Sequence, residues 1–97
     1  MLITTPYTKN DVITFRTAAG EEIVCRFVEE NAETLTITKP MALMSQNGGF
    51  GLGPWLLTAD PAQNIPVNKH NVQFVVKTEK GMAAQYTEAT SGITMPG

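Results

Sequence analysis

Apolar and polar residues alternate in short runs along most of the chain, which is the pattern of half-buried β-strands. Turn-forming residues such as Gly20, Asn31 and Asp60 separate these runs,. Five strands are predicted, and they begin at Asp11, Glu22, Thr34, Trp55 and Val72. Closely spaced strands joined by short turns favour an antiparallel, all-β fold, and a small barrel in particular.

The second predicted strand, at 22–29, carries apolar residues on both of its faces. Ile23 and Phe27 lie on one face, whereas Val24 and Val28 lie on the other,. A strand that buries parts of both faces is usually bent, as in small barrels. We therefore expect a strongly bent five-stranded sheet.

Residues 46–54 contain the sequence NGGFGLG, whose four glycines predict a mobile loop between two strands,. Phe50, Leu52 and Trp55 could give the 47–55 loop an exposed apolar tip for a protein partner, or fold back onto the barrel,. The loop is followed by neither the Lys-Ser or Lys-Thr pair nor the helix that a phosphate-binding glycine loop requires,.

In the C-terminal part of the chain, the spacing of apolar residues changes from that of a strand to that of a helix. Met82, Tyr86 and Ala89 fall at helical spacing within 80–90, which predicts a short helix,. The expected organisation is a flexible lead at 1–10, a barrel at 11–78, and a short helix with a tail at 79–97,.

Composition narrows the possible functions. A length of 97 residues suits one domain, and seven basic against nine acidic residues give a net charge of -2,. An acidic chain of this kind is a poor match for duplex nucleic acid, which is bound through a broad cationic face. Cys25 is the only cysteine and no apolar run is long enough to be a signal or membrane segment, so we expect a cytoplasmic protein without a membrane partner,.

The most informative polar cluster is the turn at 68–71, which holds the only histidine of the chain. Lys69 and His70 can contact a phosphate or a base edge, and Asn68 adds hydrogen-bonding groups,. Asn31, in the turn after the second strand, offers the same kind of amide group,. The alternative is that both segments are ordinary solvated turns.

Other reactive residues favour structural roles. Cys25 lies in the middle of a strand without a placed base, and such cysteines mostly fill core volume,. Glu29, Glu30 and Glu33 are typical of a solvated acidic turn rather than a cation site, and a lone histidine does not make a metal site,. We therefore expect no metal, no cofactor and no enzymatic activity.

Together these segments resemble the Sm fold, an SH3-like barrel. The first Sm motif is similar to the strand at 12–15, the turn glycine Gly20, the bent strand at 23–28 and Asn31. The second motif is similar to 69–76, where the bacterial Sm-like protein Hfq also carries a Lys-His pair before its last strand. The overall appearance is closest to the diverged Sm-like proteins of tailed marine phages.

The chain departs from the Sm pattern at three points. Cys25 stands where the family has a second glycine, and Glu33 or its neighbour stands where the family has a base-stacking aromatic residue. The N-terminal helix of the family is also missing from the pattern. Since stacking contributes about 1–3 kcal/mol per base, its loss should weaken RNA binding.

The resemblance implies a closed ring of about five to seven identical subunits, in which the fourth strand of one copy pairs with the fifth strand of the next. The implied interface residues are Trp55, Leu57, Val72, Phe74 and Val76. Two functions follow: a ring that binds single-stranded RNA through Asn31, Asn68, Lys69 and His70, or a structural ring that binds protein and no nucleic acid.

Overall fold

The computed structural model describes residues 6–91. The strands are β1 (Val12–Thr17), β2 (Glu22–Glu30), β3 (Thr34–Gln46), β4 (Gly49–Pro54), β5 (Ile65–Asn68) and β6 (Val72–Lys77). A 3-10 turn (Lys69–Asn71) joins β5 to β6, and one helix, α1 (Lys80–Thr90), follows. The predicted all-β class and the helix at 80–90 are confirmed, whereas the predicted number of strands was too small by one.

All six strands belong to one antiparallel sheet with the order β4-β3-β2-β1-β6. β5 also pairs with β3, so β4 and β5 share this long strand as their partner. The sheet is not closed, because no ladder joins β5 to β6 within the described residues. These two strands lie at opposite borders and are linked by only three residues, so the sheet must curl to bring its borders together,.

The core is centred on three neighbouring strands, β1, β2 and β3. It is formed by inward-facing side chains of β1, β2 and β3, together with Tyr7 and Val67: Ile13, Phe15, Ile23, Cys25, Phe27, Leu35, Ile37 and Ala42. The register Ile13↔Cys25 and Phe15↔Ile23 places neighbouring core residues opposite one another,. The core residues of β1 and of β2 thus recur with a period of two residues,.

The bend of β2 is visible in its pairing with β3. The register shifts between Val24 and Arg26 and again between Phe27 and Glu29, as expected of β-bulges in a curved strand,. Val24 is buried although it faces away from the core cluster. Apolar residues on both faces of β2 thus correspond to a strand that is covered on both sides.

Helix α1 is held to the sheet by Tyr86, which is completely buried. Its hydroxyl donates a hydrogen bond to the backbone oxygen of Lys39, and the Arg26 guanidinium lies 5.9 Å from its ring centroid. Burial raises the pKa of the Tyr86 hydroxyl,. The helix begins after Glu79, whose carboxylate accepts hydrogen bonds from the backbone amides of Gly81 and Met82,.

The prediction of a mobile loop at 46–54 was wrong, because this segment forms the β3–β4 hairpin. Asn47 and Gly48 occupy the two-residue turn with positive φ angles of 43° and 83°. An Asn-Gly pair between strands is the sequence signal for this turn. The four glycines of the segment favoured a loop instead, and the signal was overlooked. The side chains of Gln46 and Met44 lie over Gly51 and Gly53, where a Cβ atom would come within 2.6 Å of them. Glycine is therefore used here to admit neighbouring side chains.

The prediction of a strand starting at Trp55 was also wrong. Residues 55–64 form turns and bends, and strand structure returns only at β5. Trp55 instead packs edge-on against Phe15 with ring centroids 5.8 Å apart. Pro54 is the last residue of β4 and Pro61 lies within the segment, and a proline has no amide hydrogen with which to continue a ladder,.

The N-terminal lead is partly built into the fold. Residues 1–5, and residues 92–97 of the predicted tail, lie outside the described residues. Tyr7 is buried, and its ring lies edge-on to Phe27 with a centroid separation of 4.8 Å. Tyr7, which lies within the predicted lead at 1–10, is therefore part of the core.

Candidate functional site

The structure brings two of the predicted polar turns together at one corner of the sheet. The 68–71 turn follows β5, and the 31–33 turn joins β2 to β3. Thr34 pairs with Asn68 across the β3–β5 ladder, and the Lys69 amide donates a 2.9 Å hydrogen bond to the Glu33 oxygen. We call this region, formed by residues 30–34 and 68–71, the polar corner.

Both predicted asparagines of the polar corner shape its backbone. The Asn31 side-chain oxygen accepts 2.9 Å hydrogen bonds from the amides of Glu33 and Thr34. The Asn68 oxygen accepts a 2.9 Å bond from the His70 amide and so caps the 3-10 turn,. Their oxygens are therefore engaged, and the amide nitrogens are the groups with which these side chains could donate to a ligand.

Lys69 forms an ion pair inside the polar corner. Its Nζ lies 3.0 Å from Glu30 Oε1, and the two side chains are 31 % and 23 % exposed. Tyr7 donates a 3.2 Å hydrogen bond to the other oxygen of the same carboxylate. Burial raises the pKa of Tyr7 to about 12, and the negative charge of Glu30 and their hydrogen bond act in the same direction,. The positive charge of Lys69 is thus compensated within the chain.

His70 is the exposed basic residue of the polar corner. Its ring makes no hydrogen bond within residues 6–91. It shares the corner with the acidic residues Glu30 and Glu33, so the local charge is mixed rather than cationic. A contact between His70 and RNA would accordingly depend on the ring itself and not on a broad positive field.

Neither Cys25 nor the metal-ligating residue types form a reactive arrangement in the described residues. Burial raises the pKa of the Cys25 thiol, which keeps it protonated and unreactive at neutral pH,. In the part of the chain that the structure describes, no group of three His, Cys, Asp or Glu residues is placed to hold a metal ion.

The residues predicted for the subunit interface fall into two groups. Phe74 and Val76 are 47 % and 45 % exposed on β6, whose only partner strand in the described chain is β1. Val72 and Trp55 pack against the core and are half-buried. Leu57 is exposed but lies outside any strand. Phe74 and Val76 therefore combine exposure with a place on a border strand.

Sequence reasoning missed the opposite border of the sheet. β4 pairs with β3 along one edge, and its other edge has no partner strand within residues 6–91. Phe50, near the start of β4, is 73 % exposed. The signal that could have revealed this strand is the pair Asn47-Gly48, which specifies the hairpin turn before it.

A groove of about 430 Å³ was also missed. Its wall is mainly apolar and is formed by the bend of β3, the end of β4, the 61–62 turn and the end of α1: Lys39, Pro40, Met41, Pro54, Pro61, Ala62, Ala89, Thr90 and Ser91. No local motif marks such a groove, because segments far apart in the sequence create it.

Comparison with known proteins gives no relative from which to transfer a function: no family model matches the chain, and neither does any curated protein sequence. The helix that the structure describes, α1, is eleven residues long and is too short to cross a bilayer,.

Proposed function

We propose that this protein is a structural, Sm-like assembly subunit whose copies pair edge to edge into a closed ring. The observation that carries the proposal is that two border strands of six residues, β4 and β6, each have one edge without a partner strand within residues 6–91. β4 exposes Phe50, and β6 exposes Phe74 and Val76. Unpaired strand edges with apolar side chains are templates for further strands, and a second copy of the chain supplies one.

The two borders are complementary in position as well as in chemistry. They lie at opposite ends of the strand order, so β4 of one copy can pair with β6 of the next and leave its own β6 for a third copy. Such head-to-tail contacts form a closed ring when the rotation between copies closes, and the curl of the sheet supplies a rotation. The resemblance to Sm proteins sets the expected size at about five to seven copies.

The devices that proteins use to prevent edge pairing are sparse on these borders. β4 contains no charged residue, and its proline is the last residue of the strand,. On β6, Lys77 is the only charged residue, and its Nζ lies 3.9 Å from Asp11 of the same chain. Burying the exposed part of Phe50, Phe74 and Val76 between copies would add hydrophobic stabilisation to the backbone hydrogen bonds.

The experiment blocks one border at a time. Phe50→Glu on β4 and Val76→Glu on β6 should each convert the ring into monomers, as measured by native mass spectrometry. Ala19→Glu, at an exposed position of the β1–β2 turn, is the matched control and should leave the ring intact. An equimolar mixture of the two blocked chains should give heterodimers and no rings, because each chain keeps one working border.

Two results would overturn this proposal. If both blocked variants kept the mass of the wild-type assembly, the borders would not be the interface. If a singly blocked variant formed homodimers, each copy would present the same border to its partner, and the head-to-tail arrangement would be wrong.

RNA binding is the second candidate, favoured by the meeting of Asn31, Asn68, Lys69 and His70 at the polar corner. It is tested with oligo(U) and oligo(A) at several salt concentrations. Because Lys69 is paired with Glu30, His70→Ala should weaken binding more than Lys69→Ala. Lys80→Ala, at an exposed position on α1, is the control. Absence of binding at low salt would remove this candidate.

A further inference from the structure

The turn between β3 and β4 places a chemically labile pair at the tip of an exposed hairpin. Asn47 and Gly48 are both exposed, and nothing lies within 4 Å of the position that a Cβ atom of Gly48 would occupy. The Asn47 side chain has no hydrogen-bond partner within residues 6–91. No hydrogen bond to the described chain therefore holds its amide group in place.

The other five asparagines of the chain provide an internal comparison. They are followed by Asp11, Ala32, Ile65, Lys69 and Val72. Each of these residues has a Cβ atom that crowds its own backbone nitrogen, the atom that would attack the asparagine. In addition, the side-chain oxygens of Asn31 and Asn68 are held by hydrogen bonds from backbone amides. Asn47 alone combines a following glycine with a free side chain among the asparagines of residues 6–91.

We propose that Asn47 is a site of spontaneous deamidation. The backbone nitrogen of Gly48 attacks Cγ of Asn47, and the new C–N bond closes a five-membered succinimide ring. The bond between Cγ and the side-chain nitrogen breaks, and this nitrogen leaves as ammonia with the proton from the Gly48 amide. Water then adds to one of the two ring carbonyls and opens the ring to aspartate or isoaspartate, so no oxidant or reductant is needed.

The hairpin controls the rate of this reaction. Ring closure requires Cγ of Asn47 to reach the Gly48 nitrogen, and a closed two-residue turn, with φ angles of 43° and 83°, restricts the backbone rotation that this approach needs,. The Gln46↔Gly49 pair closes the ladder beside the turn. Deamidation must therefore pass through local opening of the hairpin tip, and the reaction reports how often the tip opens.

The products change the hairpin in different ways. Aspartate tolerates the left-handed backbone of residue 47, but it places a carboxylate in 40–59, a stretch without any charged residue in the sequence,. Isoaspartate lengthens the backbone by one atom within the turn and shifts the register of β4 against β3. Modification therefore alters the edge of β4 without enzymatic help.

The test is incubation of the full chain at mildly alkaline pH, followed by peptide mapping with mass spectrometry that separates aspartate from isoaspartate. We expect Asn47 to lose its amide while the other five asparagines keep theirs, and we expect a short peptide spanning 44–51 to react faster than the folded chain. Asn47→Gly, which suits the positive φ angle, is the unreactive control.

Two results would overturn the inference. Equal survival of the Asn47, Asn31 and Asn68 amides in the folded chain would show that residue 47 is not a preferred site. Equal rates in the peptide and the folded chain would show that the hairpin does not control the reaction.

Discussion

The polar corner and the two sheet borders, β4 and β6, differ in how many of their polar groups are bonded within the chain. At the polar corner, Lys69 is paired with Glu30, and the oxygens of Asn31 and Asn68 accept hydrogen bonds from the backbone. Along β4 and β6, one strand edge has no partner strand in the described chain, and the side chains of Phe50, Phe74 and Val76 are exposed. The polar residues that suggested a binding site thus stabilise the fold, whereas the border strands β4 and β6 carry the backbone groups that lack a partner strand.

The largest expected effect is on the free energy of unfolding, and it comes from replacing an aromatic residue of the core rather than one of the borders. Phe15→Ala should lower the free energy of unfolding by about 3–5 kcal/mol, because Phe15 is completely buried beside Trp55,. The measurement is urea unfolding in the Val76→Glu background, where assembly does not contribute. A loss below about 1 kcal/mol would show that the core is not packed around Phe15.

The next effect is the pH dependence of stability that Tyr7, the neighbour of Glu30 in the polar corner, produces. The pKa of Tyr7 is raised from 10.0 to about 12 in the folded chain, so folding favours the protonated hydroxyl. This contribution to stability is complete below pH 10 and is lost as the pH rises from 10 to about 12,. Urea unfolding at several alkaline pH values should show a steeper decline for the wild type than for Tyr7→Phe. Identical declines would mean that folding does not raise the pKa of Tyr7.

A smaller effect measures the ion pair itself. A double-mutant cycle of Glu30→Gln and Lys69→Met should give a coupling energy of about 0.5–1 kcal/mol, since both side chains are partly exposed,. Coupling near zero would show that Lys69 is available to a ligand, and it would restore the polar corner as a binding site. Arg16→Met with Glu30→Gln is the control pair, because Arg16 is exposed and has no ion pair within the described residues.

The smallest effect on the monomer sharpens the assignment of the β4 border. Phe50→Ala should change the unfolding free energy of the monomeric chain by no more than about 0.5 kcal/mol, because Phe50 is 73 % exposed,. The same substitution in the otherwise wild-type chain should weaken assembly, as seen by dilution in native mass spectrometry. A large loss of monomer stability would show that Phe50 packs within its own chain.

The sequence predicted those parts of the fold that depend on local alternation. β1, β2, β6 and α1 were recognised because their apolar residues repeat with a period of two or near four,. β4 was missed because its glycines suggested disorder, although the Asn-Gly turn before it specifies a hairpin,. The interruption at 55–64 was missed because Trp55 and its neighbours look like a strand, while Trp55 actually packs against Phe15.

The candidate site was predicted in its residues but not in its bonding. The four polar residues of the corner were identified from residue type alone. The pairing of Lys69 with Glu30 depends on how β5 lies along β3, which residues distant in sequence determine. Residue type therefore located the corner, and only the register of the sheet reveals that its charge is compensated.

The most direct test of the central claim is the solution mass of the unmodified wild-type chain, measured by light scattering at micromolar concentration. Edge-to-edge pairing predicts one species with the mass of about five to seven chains. A species with the mass of a single 10.5 kDa chain at every concentration would contradict it.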